Sequence, residues 1–480
     1  MKKNIAVLLT IVISSLLFLR CTDIDDSPQA GTLPIQNFIW KGLNSYYLYQ
    51  ENVADLSDNR FSSQKELNNF LSAFTNPEEL FNSLLYQKNS TDRFSVIFSD
   101  YTALEQALSG SNDTNGAELA FSYKNGSSTD IFGWVKYIMP NSDAASKNIQ
   151  RGTVFYAING VPLTVNNYRQ LIASTTYTLN LADYNNGSIT PNGQTVSLTK
   201  MPYSENPVFM TNVYDLGTKK VGYLIYNGFY SNYENQLNQA FGSLKAQGIT
   251  HLILDLRYNS GGSVATATRL ASMITGQFTG QIFAKQQWNN KITSNSNSSN
   301  FINNFTSTIS NGNAINTLQL NKIYILTTRS TASASELIIN GLKPYISVVQ
   351  IGKTTVGKNV GSVTLYDSPN FTKTNLNPSH RYAMQPLVLK IVNKNGFGDY
   401  ANGISPDISN ELAEDIGNLG VIGDPNEPYL AKALALINNG GRLSNPKEFK
   451  TPEEIIEKSP RDLKFEMYLD EFPKDVLNIP

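Results

Sequence analysis

Residues 251–275 read "HLILDLRYNSGGSVATATRLASMIT". Leu252, Ile253, Leu254 and Leu256 form an apolar run of strand length. Asn259 to Gly262 follow as a turn whose glycines expose backbone amides. The remainder, from Ser263, reads as a helix. Similar units flank this one. Strand "KVGYLIYNGF" (220–229) and helix "YENQLNQAFGSLKAQG" (233–248) precede it. Strand "QLNKIYILTTRS" (319–330), helix "SASELIINGLK" (333–343) and strand "ISVVQIG" (346–352) come after. Alternating strands and helices predict βαβ units and a largely parallel sheet covered by helices. This α/β core is expected over residues 207–440 of a 480-residue, multidomain, mixed α+β chain.

Residues 33–95 are expected to be a small helical N-terminal region. Phe38, Ile39, Leu43, Tyr46 and Tyr47 recur at helical spacing, as do Leu67, Phe70, Leu71 and Phe74. Ser62 is followed three residues on by Lys65, so no capping box is expected there. "NPEELFNSLLY" opens a third helix, and "DRFSVIFS" (92–99) alternates like a strand. Residues 112–202 hold short strands separated by Gly, Asn and Ser turns. Within them, "PNSDAASKNIQRGTVFYAINGVPL" (140–163) resembles the PDZ pattern of a small-residue helix, a glycine turn, a strand and an "ING" turn. The resemblance implies a module that takes an extended peptide as an added strand, or a spacer that covers a site. "PYSENPVF" reads as a proline-bearing linker, and the Asn/Ser-rich stretch 289–313 as a long surface loop. The charged, proline-punctuated residues 441–480 form a C-terminal appendage.

The ends and the composition bound the function. Two lysines and an apolar run from Ile5 to Leu19 make residues 1–21 a secretory signal pattern, a retained signal anchor being the alternative. Cys21, the single cysteine, follows that run and resembles the lipidated first residue of a bacterial lipoprotein, although Arg20 stands where a small residue is usual. The expectation is an exported chain, periplasmic or anchored in the outer membrane of a Gram-negative-type bacterium through lipid on Cys21. A net charge of −1 gives no reason to expect a nucleic-acid partner. One cysteine excludes an internal disulfide and a cysteine-based zinc cluster. Only two histidines occur. His251 starts a strand and His380 lies in a loop, neither with an acidic orienter close in sequence.

A serine chemistry without histidine needs another base, and a lysine kept neutral by burial is one. Ser330, Ser333 and Ser335 lie where strand 319–330 runs into a helix, the end of the strand at which such sheets form sites. Free amides at that helix start stabilise negative charge. Ser333 and Glu336 also fit a capping box, a purely structural role. Lys353 and Lys358 lie in "IGKTTVGKNVGS" after the next strand, so parallel pairing would bring them beside the serines. The amides of Gly261 or Gly262, with that of Ala334, are candidates for an oxyanion hole. Asp255 and Arg257 read as structural.

"DLRYNSGG", "TASASELI" and "TTVGKNVG", in this order, resemble the signature of the tail-specific or C-terminal processing peptidases, serine proteases with a Ser/Lys dyad and a PDZ-like domain. The family's lysine follows its serine by 25 positions, which matches Ser333 and Lys358 here. The resemblance spans residues 112 to 436 and implies a serine endopeptidase acting on exported or unfolded polypeptides, with no metal or organic cofactor. It departs at Ser362, where several members carry a glutamine that orients the lysine; a serine can still make one hydrogen bond, with shorter reach, so Ser362 is a candidate lysine-orienting residue. It departs also at "GKN" for "GKG". The alternatives are a non-catalytic peptide-binding or scaffold protein on the same fold, and a hydrolase of non-peptide esters. Oligomeric state is not legible.

Overall fold

A computed structural model describes residues 33–439, Ile455, 467–474 and Val476. The signal pattern, Cys21 and much of the appendage lie outside the described residues. The chain is a mixed α/β multidomain protein. Its central sheet runs in the order Val208–Asp215, Lys220–Tyr226, His251–Asp255, Lys322–Thr327 and Ser347–Gly352. The first pair is antiparallel and the others are parallel.

Strand periodicity explains how both faces are covered. Val221, Tyr223 and Ile225 point into one core with Tyr429, Leu430 and Ala433 of the helix Pro428–Asn439. Leu224 and Tyr226 point into the opposite core with Leu237, Phe241, Leu270 and Leu337 of the helices Glu234–Ala246, Val264–Thr275 and Ala334–Leu342. Successive side chains alternate, so a sheet covered on both sides needs near-continuous apolar strands. The polar exceptions are paired. Arg257, about 1% exposed, bonds Asp255 and reaches Glu427 Oε1 at 2.7 Å, which supports its structural reading.

A second, six-stranded sheet runs Gly262–Ser263, Met467–Leu469, Val360–Val363, Leu387–Asn393, Ile282–Trp288 and Ile302–Asn304. It contains part of the stretch expected to be a surface loop. That stretch instead forms the helix Asn290–Asn295 and the strand Ile302–Asn304. Ile292, Phe301, Phe305 and Ile309 are buried and hold it to the core despite its polar composition.

The N-terminal helices Pro34–Tyr46, Gln64–Leu71 and Pro77–Ser83 form as expected. Their Phe38, Leu43, Tyr47, Leu67 and Phe81 belong to the main core, so this region is fused to the α/β half. Ser63, not Ser62, caps the second helix by accepting from the Glu66 amide, while Glu66 reaches back to the Ser62 amide at 2.7 Å. Between Ala117 and Thr199 lies a separate β-rich module with its own core of Phe121, Phe155, Ile158, Tyr168, Leu179 and Leu198. The expected linker is partly sheet: Met201–Ser204 pairs with Ser111–Thr114 and fastens the module's two ends together. Across its border with the core, Arg151 bonds Glu414 at 2.9 Å, and Tyr137 stacks on Tyr258.

Candidate active site

Strands Lys322–Thr327 and Ser347–Gly352 are parallel neighbours, with Thr327 opposite Gly352. Their outgoing loops therefore start side by side, one carrying Ser333 and the other Lys358. Both residues are 0% exposed.

The hydroxyls of the serine loop separate by their partners. Thr327 Oγ1 donates to Lys353 O at 2.8 Å and Thr331 Oγ1 to Leu256 O at 2.8 Å. Thr328 Oγ1 donates to Arg257 O. Ser330 Oγ accepts from Lys136 Nζ at 2.9 Å, and Ser335 Oγ donates to Asn259 O at 3.1 Å. Ser333 Oγ alone in this loop is buried without a hydrogen-bond partner. It faces the Glu336 amide in the manner of a capping box without closing a normal bond on it. Ser333 also has φ 65° and ψ −116°, in backbone space that residues with a Cβ avoid. Such strain costs about 1–3 kcal/mol and persists only where the surroundings enforce it.

The glycine turn lies against this serine. Gly261 has φ +115°, and a Cβ added there would stand 2.5 Å from Ser333 Cβ, 2.7 Å from Ser333 Oγ and 3.0 Å from Ala334 N. The missing side chain thus lets the glycine turn pack directly against Ser333 and the Ala334 amide, closer than any residue with a Cβ could. That amide opens the helix Ala334–Leu342, where the first N–H groups have no intrahelical partner. The Gly261 N–H itself is held by Asn259 Oδ1 at 2.9 Å. Asn259 is fully buried, donates to Tyr226 O at 2.7 Å and accepts from Ala332 N at 3.1 Å through its own carbonyl. It staples the glycine turn to the serine loop, a role not apparent from the sequence.

Glu336 joins the two loops. Its carboxylate accepts from Ser333 N at 2.7 Å, Gly357 N at 2.7 Å and Lys358 N at 2.8 Å, and from Thr355 Oγ1. Burial pushes its pKa above the usual 4.5, while these donors pull it back. The N-terminal region closes the lysine side. Arg93 donates to Gly357 O at 2.5 Å and to Ala401 O at 3.0 Å, and the Phe94 ring lies 4.9 Å from Lys358 Nζ. Ser362 is buried in Val360–Val363 and donates to Met467 O at 3.3 Å. His380 does have an acidic partner, Asp367 at 2.8 Å, brought in by folding. It packs beside Phe38 and Tyr382. His251 starts its strand as expected.

Gly261→Ala should test this close approach. The methyl group would collide with Ser333 Cβ on a backbone at φ +115°, displacing the turn or the serine, so turnover in a hydrolysis assay should fall about 10²-fold, the scale of a misplacement of about 1 Å. Wild-type turnover by this variant would mean that the close approach of the turn to Ser333 does not matter for reaction.

Comparison with known proteins follows this geometry. Residues 220–409 match the family described as Peptidase family S41, and residues 34–96 match the Peptidase S41 N-terminal domain. The two matches together span just over half of the chain. The chain is 25% identical over 270 residues to the chloroplastic C-terminal processing peptidase of Tetradesmus obliquus, covering 54% of each protein. It is 28% identical over 191 residues to a probable CtpA-like serine protease of Staphylococcus epidermidis, covering 39% of this chain and 33% of that one. The chain thus spans about half or less of the length of these relatives. A crystal structure of a putative S41 protease from Bacteroides fragilis superposes with a TM-score of 0.65 at 24% identity, covering 87% of this chain and 99% of that one, and so shares its fold.

Proposed function

We propose that this chain, which belongs to peptidase family S41, is a serine endopeptidase with Ser333 as nucleophile and Lys358 as base. The carrying observation is the buried Ser333 hydroxyl, left without a hydrogen-bond partner on a strained backbone at the start of the helix Ala334–Leu342, where free amides can receive an oxyanion. Neutral Lys358 takes the Ser333 proton as Oγ bonds to the peptide carbonyl carbon. The carbonyl oxygen becomes the oxyanion, met by the Ala334 amide with Gly262 as second donor. Gly261 lets the turn approach Ser333 closely, and its own amide is held by Asn259. The lysinium then protonates the leaving amine as the C–N bond breaks. Neutral Lys358 next takes a proton from water as it attacks the ester carbonyl, and the lysinium returns that proton to Ser333 Oγ as the ester C–O bond breaks. Ser362 supports the strand that follows the lysine loop.

The β-rich module, residues 112–202, acts as the PDZ-like peptide-binding or gating element, and residues 207–440 as the peptidase domain. The substrates are exported or unfolded polypeptides. The protein is exported, with a lipid anchor on Cys21 as its tie to the membrane. Among the described residues no helix is long and apolar enough to cross a bilayer.

The test combines cleavage with labelling. The purified chain is incubated with an unfolded polypeptide, with and without a serine-acylating phosphonate, and the label is located by mass spectrometry. Cleavage that stops as Ser333 becomes labelled supports the reading. An intact polypeptide from about pH 6 to 10 together with an unlabelled Ser333 leaves the non-catalytic scaffold reading in its place; a base that must shed its proton makes the rate rise over this range.

A further inference from the structure

The helices of the N-terminal region pack into the main core, but its last residues make a more specific contact. Arg93 Nη2 donates to Gly357 O at 2.5 Å and to Ala401 O at 3.0 Å, across 264 and 308 residues of chain. These two carbonyls belong to segments pressed together backbone to backbone. Gly357 has φ +88°, and a Cβ there would stand 2.3 Å from Ala401 O and 2.5 Å from Gly403 N. Converging carbonyl oxygens repel unless a donor lies between them, and one guanidinium nitrogen supplies an N–H to each. The other side of the same peptide unit, Lys358 N, donates to Glu336 at 2.8 Å. The Gly357–Lys358 peptide is therefore held at its carbonyl by Arg93 and at its N–H by Glu336.

Phe94 meets the side chain of the same lysine. Its ring centroid lies 4.9 Å from Lys358 Nζ and 4.6 Å from the Arg93 guanidinium carbon. The negative face of a ring attracts a cation at such a distance. The pair is itself firmly supported. Asp92, about 1% exposed, accepts from Phe94 N at 3.2 Å, Ser95 N at 2.9 Å, Ser95 Oγ at 2.6 Å and Tyr47 Oη at 2.7 Å. Ser95 Oγ accepts from Leu387 N at 2.9 Å, and Val96–Phe98 pairs with Ala383–Gln385. Residues 93 and 94 thus project from a backbone tied to the end of the first helix and to the second sheet. Support of this kind holds a reacting group in place.

The charged and titratable groups that the packed elements bring here are Glu336, Arg93 and Tyr400. Burial and Glu336 push the Tyr400 phenol well above its usual value, so it is neutral. Burial draws the Arg93 guanidinium below its usual value, Glu336 opposes this, and the group stays charged. Lys353, in the lysine loop itself, faces Glu411 at 4.0 Å.

We propose that Arg93 and Phe94 are positioning residues for the reacting base, so that the N-terminal region sets both where the Lys358 amine stands and how readily it holds a proton. The consequence for turnover rests on the peptidase reading; the hold on Lys358 does not.

The experiment follows the amine directly. The full chain is labelled with ¹³C at lysine Cε, and Lys358 is assigned by the signal missing from Lys358→Met. Its titration midpoint is read by NMR, and cleavage of an unfolded polypeptide is measured on the same preparations. Phe94→Leu keeps an apolar wall but removes the ring face, so the midpoint should fall, with about two- to fivefold more neutral amine at a pH below it. Arg93→Ala removes a like charge, so the midpoint should rise. Its kcat should drop about 10²-fold at an unchanged KM, the cost of a misplacement of about 1 Å. Arg93→Lys keeps the charge and should return the midpoint to the wild-type value, but a single ammonium does not reproduce the planar fork, so kcat recovers only in part. A packing role alone would let water in and raise the midpoint in Phe94→Leu as well. That outcome, or a wild-type kcat in folded Arg93→Ala, would overturn the proposal. Should Arg93→Ala fail to fold, the midpoints of Phe94→Leu and Arg93→Lys decide by the same criteria. If the midpoints move as expected but the wild-type chain never cleaves, the positioning stands and the peptidase reading falls.

Discussion

Replacing Ser333 with alanine is expected to lower kcat/KM for an unfolded polypeptide by about 10⁴-fold or more, the scale on which loss of a nucleophile acts. The fold should be indifferent to the change. Ser333 Oγ is buried and has no hydrogen-bond partner, so its removal orphans nothing. An unsatisfied buried hydroxyl is itself unfavourable, and its loss should leave stability unchanged or raise it by about 1 kcal/mol. Urea unfolding and cleavage measured on the same preparation check both parts. Ser335→Ala should behave in the opposite way, since its hydroxyl is bonded to Asn259 O. Some stability is lost and the nucleophile is kept. If Ser333→Ala retained activity while Ser335→Ala lost it, the assignment would move to Ser335.

Glu336→Ala should produce the largest structural loss. Three backbone amides and one hydroxyl converge on this carboxylate in a fully buried site. Truncation leaves them without acceptors, and the cost should be about 3–5 kcal/mol by denaturant unfolding, at the upper end for a single substitution. Activity should vanish with it, because the carboxylate is the one group that fixes the backbones of Ser333 and Lys358 together. Glu336→Gln is the informative partner. It keeps the volume but turns an N–H group toward donors, so it should lie between wild type and alanine. The pH dependence has a definite sign. Burial holds the folded pKa above the reference 4.5, so the unfolded chain releases this proton at lower pH. Folding stability should therefore fall as pH rises from 4.5 toward the raised value and then level off. Glu336→Gln should lack that component. Equal slopes in the two proteins would mean that the carboxylate is not held protonated by its burial.

Much of the fold was written in local pattern. Continuous apolar runs of strand length located the parallel strands of the central sheet, and the alternation of strands and helices implied their parallel order, because parallel neighbours need a crossover between them. The resemblance to a known family's motif order, and that family's interval from serine to lysine, selected one serine and one lysine from several; spacing alone had left Ser330, Ser335 and Lys353 open. The Asn/Ser-rich stretch misled because its composition is polar, while its place in the structure depends on four widely spaced apolar side chains that become neighbours only after folding.

Other features are decided by partners far apart in the chain. The serine loop holds six hydroxyls of similar chemistry. Which of them is free depends on carbonyls more than 70 residues earlier, at Leu256, Arg257 and Asn259. Glu336 looked like a helix-capping residue because its nearest donor is three residues away, whereas its others lie 19 to 22 residues on, at Thr355, Gly357 and Lys358. The strand at Met467–Leu469 gave no signal beyond a charged appendage, since a three-residue strand has no periodicity of its own and forms only between two edges already in place. The sequence by itself determined the parallel strands of the central sheet and the helices between them, and its likeness to a known family singled out the pair of residues proposed to react. The tertiary structure decided which hydroxyl is left unbonded and what ties it to the lysine loop, because hydrogen-bond complementarity between distant segments exists only once the chain has brought them together.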